Sequence, residues 1–196
     1  IRNQEGIVGN SGCERYSGRM NLKRKISDKV TMTARRSGAR TEDSGISTGS
    51  SDGLVMKILR QPPTKKSGDQ NINEGTGEEE GTVLSNPYQQ VKKITNDRYK
   101  DKLTARIELE YRLTPKIMFR GAGTYDDNHH KTNVFYPEDT EQGFKQKGRG
   151  IITNAEIKKL TGEAFVYYTN RWKSGHRLKV TAGSTIDTYR STTVRT

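Results

Sequence analysis

Cys13 is the chain's only cysteine, so it cannot staple itself with a disulfide or build a cysteine metal site. It has no run of 18 or more apolar residues, which excludes a transmembrane helix but not a membrane β-barrel, whose short alternating strands escape hydropathy. Apolar material is scarce as well. Only 29% of the 196 residues are hydrophobic and 30% are charged, against roughly 45–50% apolar in ordinary globular domains. A conventional core of normal size is not expected. Either part of the chain is loop, or each strand offers one thin apolar face.

The residues that are present alternate. In LTARIELEYRL, Leu103, Ala105, Ile107, Leu109, Tyr111 and Leu113 are apolar, and Thr104, Arg106, Glu108, Glu110 and Arg112 are polar. A period of two predicts a strand with one apolar and one wet face. Strands come in pairs: Arg15–Lys23 with Val30–Arg36, Leu103–Leu113 with Ile117–Tyr125, and Thr161–Arg171 with Arg177–Ser184. Ile1–Val8 adds one more. In the third pair Phe165 and Tyr167 fall opposite Ala164, Val166 and Tyr168, and alternation alone does not say which set is covered. Joints within pairs are short and polar, as at Ile26–Lys29, Thr114–Lys116 and Lys173–Gly175. Connections between pairs are long: about 41–98, with a short helix over Asp52–Arg60 stopped by Pro62–Pro63, and about 126–149.

Short turns therefore gather at one end of the hairpins and long loops at the other, as in transmembrane barrels. Strands of about nine to eleven residues also suit a tilted bilayer crossing. Tyr16, Tyr111, Tyr125, Tyr168 and Trp172 near strand ends suit an aromatic girdle. The expected fold is all-β: an antiparallel meander of about seven strands forming one partial barrel domain over 1–196.

The net charge of +12 permits a polyanionic partner. Yet the basic residues are dispersed, and no nucleic-acid-binding motif is present. A soluble basic β-protein binding nucleic acid or another polyanion stands as the alternative reading. Asp126, Asp127, His129 and His130 form the one run of metal-ligand types, without the spacing of an EF-hand or zincin, and read as a polar loop tip. Ser44–Gly45 and Ser174–Gly175 lack nucleophile-elbow context, so neither an enzyme nor a cofactor is expected.

Three blocks go further. Residues 3–32, NQEGIVGNSGCERYSGRMNLKRKISDKVTM, resemble a barrel hairpin of SusC/RagA-type TonB-dependent outer-membrane receptors. Residues 53–64, GLVMKILRQPPT, look like the short helix and double proline of that family's long extracellular loop. Asn86–Pro87 looks like the motif that precedes its next hairpin. The order is the family's. Cys13 departs from it, standing where a bulky residue is more usual. The resemblance implies an early-to-middle segment of an about 22-stranded barrel closed around a plug. The start at Ile1, without a signal-peptide pattern, then reads as processing or as a piece of something longer. It further implies a Gram-negative outer membrane with its lipid, the TonB system, a SusD-like surface lipoprotein, and an oligosaccharide or peptide substrate; nucleic acid is not expected. Arg106, Glu108, Glu110, Arg112 and Arg120 would face the lumen, contacting the plug or simply water. Tyr88, Phe135, Tyr136 and Phe144 would stack on substrate or pack loops together.

Overall fold

The computed structural model describes residues 1–6, 11–45, 59, 91–138, 140, 143, 146–173 and 175–196. They form one seven-stranded antiparallel sheet in simple sequence order. The strands are β1 (Arg2–Glu5), β2 (Gly12–Lys25), β3 (Val30–Ser44), β4 (Thr95–Arg112), β5 (Ile117–Tyr136), β6 (Arg149–Arg171) and β7 (Arg177–Arg195). A single helical turn over 91–93 leads into β4. The helix expected over 52–60 lies outside the described residues, except for Leu59, which is helical.

Strand pairing follows the expected hairpins, but the strands run much longer. β4 to β7 span 18, 20, 23 and 19 residues, about twice what crosses a bilayer. The loop expected over 126–149 is corrected most. Residues Asp126 to Tyr136 continue β5 and pair with Arg149–Lys159 of β6. Thr41–Ser44 and Thr95–Arg98 likewise belong to β3 and β4. The reason is visible in the residue types. Beyond Tyr125 both faces turn polar, so the alternation that marks a strand disappears although the backbone ladder continues.

Two short turns share one device. In the β2–β3 turn the Ser27 hydroxyl accepts from the backbone N–H groups of Lys29 (3.3 Å) and Val30 (3.2 Å). In the β4–β5 turn the Thr114 hydroxyl accepts from those of Lys116 (3.3 Å) and Ile117 (3.0 Å). Each hydroxyl caps the N–H at the tip of the reversal, and shares the next one, of Val30 or Ile117, with the backbone carbonyl of Ser27 or Thr114. The β6–β7 turn uses Gly175, at φ 88°, where a side chain would be strained.

The register assigns every side chain to a face. One face carries Met20, Leu22, Met32, Ala34, Leu103–Tyr111 at odd positions, Ile117, Phe119, Leu160, Val166, Val180 and Ile186. The other carries Arg35, Arg106, Glu108, Arg120, Thr124, Thr161 and Glu163. Burial is inverted relative to a soluble protein. Ile107 is 58% exposed and Ile186 72%, whereas Glu108 is 6% exposed. Within a single sheet, a side chain is covered only by its neighbours on the same face. Curling toward the polar face draws those neighbours together and splays the apolar ones apart. Phe165 and Tyr167 lie on the polar face, with Ala164, Val166 and Tyr168 on the apolar one.

On the apolar face the greasy rows of β5 run from Ile117 to Tyr125. That is about 27 Å along the strand and about 20 Å in height at a tilt of roughly 40°. Tyr111, Tyr168 and Trp172 lie toward its short-turn edge; Tyr125 and Tyr16 lie toward the other. Above that edge the same face is charged, with Arg40, Asp101, Asp127, Glu156 and Lys158.

Gly183 sits directly opposite Phe165. A Cβ there would collide with the Phe165 ring and lie 2.8 Å from the Ala164 carbonyl oxygen. At Gly162 and Gly121 a Cβ meets nothing within 4 Å. Gly183→Val is therefore expected to destabilise the β6–β7 pair by about 1–3 kcal/mol, lowering the temperature of heat-induced gel-mobility change in the full-length protein. Gly162→Ala should leave that temperature within error.

Candidate functional site

The most organised side-chain cluster lies at the centre of the covered polar face. β4 contributes Arg106 and Glu108, β5 contributes Arg120 and Thr124, and β6 contributes Glu163. Two-residue periodicity puts Arg106 and Glu108 on one face, and the register sets them beside Thr124 and Ala122. Arg106 Nη2 lies 2.7 Å from Glu163 Oε2, and its Nη1 lies 3.4 Å from Oε1, a forked pairing across β5. The same Nη1 donates to Thr124 Oγ1 at 2.9 Å. Glu108 Oε2 accepts from Arg120 Nη2 at 2.6 Å and from Arg106 Nη2 at 3.4 Å.

Two arginines and two glutamates thus balance in charge. Planar guanidinium forks suit this shared pairing better than lysine would. One group is left over: Arg120 Nε is buried without a partner. The cluster ties β4, β5 and β6 together across a thin sheet. It contains no nucleophile with an adjacent base.

Arg106, Glu108 and Arg120 meet in this network. Glu110 and Arg112 share the face without joining it; Glu110 stands directly opposite Arg120 in the register. Glu163 was not among the sequence candidates. Its parity with Phe165 and Tyr167 hid it, because two aromatics made that side of β6 look as apolar as the other. The acidic residue itself was the signal for the wet side.

The expected loop residues are redistributed. Phe135 and Tyr136 end β5 and are not in a loop. Tyr88 and Phe144 lie outside the described residues. Asp126, Asp127, His129 and His130 are also in β5, which corrects their placement at a loop tip. The strand parts them, with Asp126 and His130 on the polar face and Asp127 and His129 on the other. Among the described residues no three metal-ligating side chains converge. Asp126 instead accepts from Thr104 Oγ1 at 2.6 Å.

Near the long-loop end of the polar face, Lys100 Nζ lies 3.2 Å from Asp43 Oδ2. The Cys13 thiol is pushed up from its ordinary value, first by its hydrogen bond to Asp43, then by partial burial and the carboxylate's charge. On the charged part of the outer face, the Lys158 ammonium, 2.6 Å from Glu156, holds that carboxyl below its usual range.

An open antiparallel sheet with a greasy belt, aromatic edges and a covered ionic face is a segment of a transmembrane β-barrel. No family model matches the chain. TonB-dependent receptor P26 of Formosa agariphila is 26% identical over 190 residues, covering 93% of this chain and 18% of that protein. A structure of the RagAB peptide transporter matches at TM-score 0.70 and 14% identity, covering 98% of this chain and 23% of that one. A structure of the RagAB peptide importer in its open-open state matches at TM-score 0.70 and 14% identity, covering 94% and 21%. The chain thus spans about a fifth of the length of the proteins it matches. These likenesses show the fold of a barrel segment, and the 26% match agrees with the resemblance of the three sequence blocks to SusC/RagA-type TonB-dependent receptors.

Glu108→Ala would leave Arg106 and Arg120 facing each other without the shared carboxylate. The expected cost is on the order of 1–3 kcal/mol, read as a lower thermal midpoint of the purified protein in detergent. Glu110→Ala, outside the network, should shift the midpoint far less. For Cys13, a raised pKa means less thiolate at pH 8. Alkylation by iodoacetamide is expected to be slower than for an unstructured cysteine peptide, and faster in Asp43→Asn.

Proposed function

We propose that this chain is a stretch of the wall of an outer-membrane importer. That importer takes up nutrients too large for porins, energised through the TonB system and capped by a SusD-like surface lipoprotein. The inverted faces carry the reading. Large apolar side chains such as Ile107, Leu160, Val180 and Ile186 stand exposed on one face, while the Arg106–Glu108–Arg120–Glu163 cluster is the covered part of the other. Lipid is the medium that makes the first arrangement favourable. A lumen makes the second useful.

In this reading Arg106, Glu108, Glu110, Arg112 and Arg120 face the lumen, where a plug or passing cargo supplies further partners. The apolar rows face hydrocarbon. Oligopeptide is the proposed cargo, because both RagAB structures are of a peptide transporter. The soluble polyanion-binding alternative has to leave that belt in water. An exposed apolar patch of such extent marks a membrane or protein contact.

Spin labels placed one at a time at residues 117–125 of the full-length receptor in bilayers, in a Cys13→Ser background, test the wall. Odd positions should be accessible to oxygen, and even positions to a water-soluble nickel reagent. Accessibility without a two-residue period would sink the assignment. Uptake of a labelled oligopeptide by cells, lost on deleting the gene and on collapsing the proton-motive force, tests the transport.

A further inference from the structure

The polar face is not uniformly balanced. Around β4 to β6 each arginine of the central cluster has a carboxylate. Between Arg15 and Lys23 of β2 and between Thr31 and Thr41 of β3 the same face carries Arg15, Arg19, Lys23 and Arg35, and no acidic residue at all. Lys102 of β4 joins them from the other side.

The register gives this patch a shape. Arg15 lies opposite Thr41, Ser17 opposite Ala39 and Arg19 opposite Ser37; Lys102 flanks Ala39 and Thr104 flanks Ser37. Long cations from β2 and β4 therefore wall a floor of Ser37, Ala39 and Thr41 on β3. Two strand spacings make the trough about 10 Å wide. It encloses a hollow of about 480 Å³ lined by Arg15, Ser17, Arg19, Ser37, Ala39 and Lys102, with Gly18 and Gly38 beneath.

Nothing in the described structure neutralises it. Among the described residues, none of Arg15, Arg19, Arg35 and Lys102 is ion-paired. Of the nearby carboxylates, Asp43 is paired with Lys100, and Asp126 is held by the Thr104 hydroxyl on the far side of β4 from the floor and makes no ion pair with the trough's cations among the described residues. Arg35 even stands directly opposite Arg106, whose charge is already spent on Glu163 and Glu108. Like charges set side by side raise the free energy of the sheet, and an anion between them relieves it. The small floor lets an extended chain lie between the walls, and guanidinium forks pair with carboxylates two bonds at a time.

We propose that this trough is a binding site for side-chain carboxylates of an acidic oligopeptide, and that the importer takes such peptides in preference to neutral ones. The inference rests on the importer reading above for the origin of the peptide, but binding is measurable without transport.

The test uses the full-length receptor in detergent and a short dye-labelled aspartate-rich peptide, with its asparagine counterpart as control, followed by fluorescence polarisation. The aspartate peptide should bind about tenfold tighter at low salt, with the advantage shrinking as salt rises. Combined Arg15→Ser, Arg19→Ser and Lys102→Ser should erase the preference, while Arg15→Lys with Arg19→Lys keeps most of it. Ser37→Asp, which places a carboxylate on the floor and leaves the walls intact, should erase it too, so the result does not hang on one variant folding. Equal affinity for the two peptides overturns the proposal, as does a preference that survives both the triple variant and Ser37→Asp. A triple variant that loses thermal stability with the preference unchanged also overturns it, assigning the trough to a carboxylate of the receptor itself. If the preference is present but cells import neither peptide, the trough stands and the importer reading falls.

Discussion

A backbone amide in hydrocarbon has no water to turn to, and every feature of this sheet follows from that. The N–H and C=O groups of a lipid-crossing strand must pair with neighbouring strands. Pairing fixes an extended backbone, and an extended backbone sends successive side chains to opposite faces. A sequence that alternates Leu, Thr, Ala, Arg, Ile, Glu along β4 then has one way to satisfy both solvents. Leu103 to Tyr111 go to the fatty side and Arg106 and Glu108 to the wet side. The ladder comes first; the distribution of charge is its consequence.

Charge on the wet face is then an organising force. The Arg106–Glu163 fork spans from β4 to β6, and Glu108 joins β4 to β5 through Arg120. With so few apolar contacts across the sheet, these side chains do work that a hydrophobic core does elsewhere. Surface ion pairs contribute little singly, but these are partly shielded by their neighbours and share partners. Toward β2 the arrangement changes to cations over small residues, without ion-pair partners among the described residues. The same wall thus has a self-sufficient stretch and a stretch that leaves its attraction available.

The fold was legible where the two solvents differ. Over Leu103–Leu113 alternation between apolar and charged residues marks strand, face and register at once, and the short turns at Ser27 and Thr114 reveal themselves by residue type. Legibility failed where both faces meet water. Asp126 to Tyr136 alternate nothing, so the chain looked like loop, and Asp126, Asp127, His129 and His130 looked like a cluster. Only the partner strand β6 supplies the hydrogen bonds that hold them extended and send them to opposite sides. For the candidate site, Arg106, Glu108 and Arg120 could be placed on one face from parity. Their meeting with Glu163 could not, because cross-strand register is a property of two segments and is absent from either alone.

The extra length of the strands changes what the outer half of the molecule is made of. β5 continues for eleven residues past Tyr125 and stays hydrogen-bonded to β6 throughout. At the usual tilt this is roughly 25–30 Å of ladder beyond the apolar belt. Such a rim is a paired sheet, not a fringe of coil. The charged side chains Arg40, Asp101, Asp127 and Lys158 are thereby held on a paired backbone beyond the apolar belt.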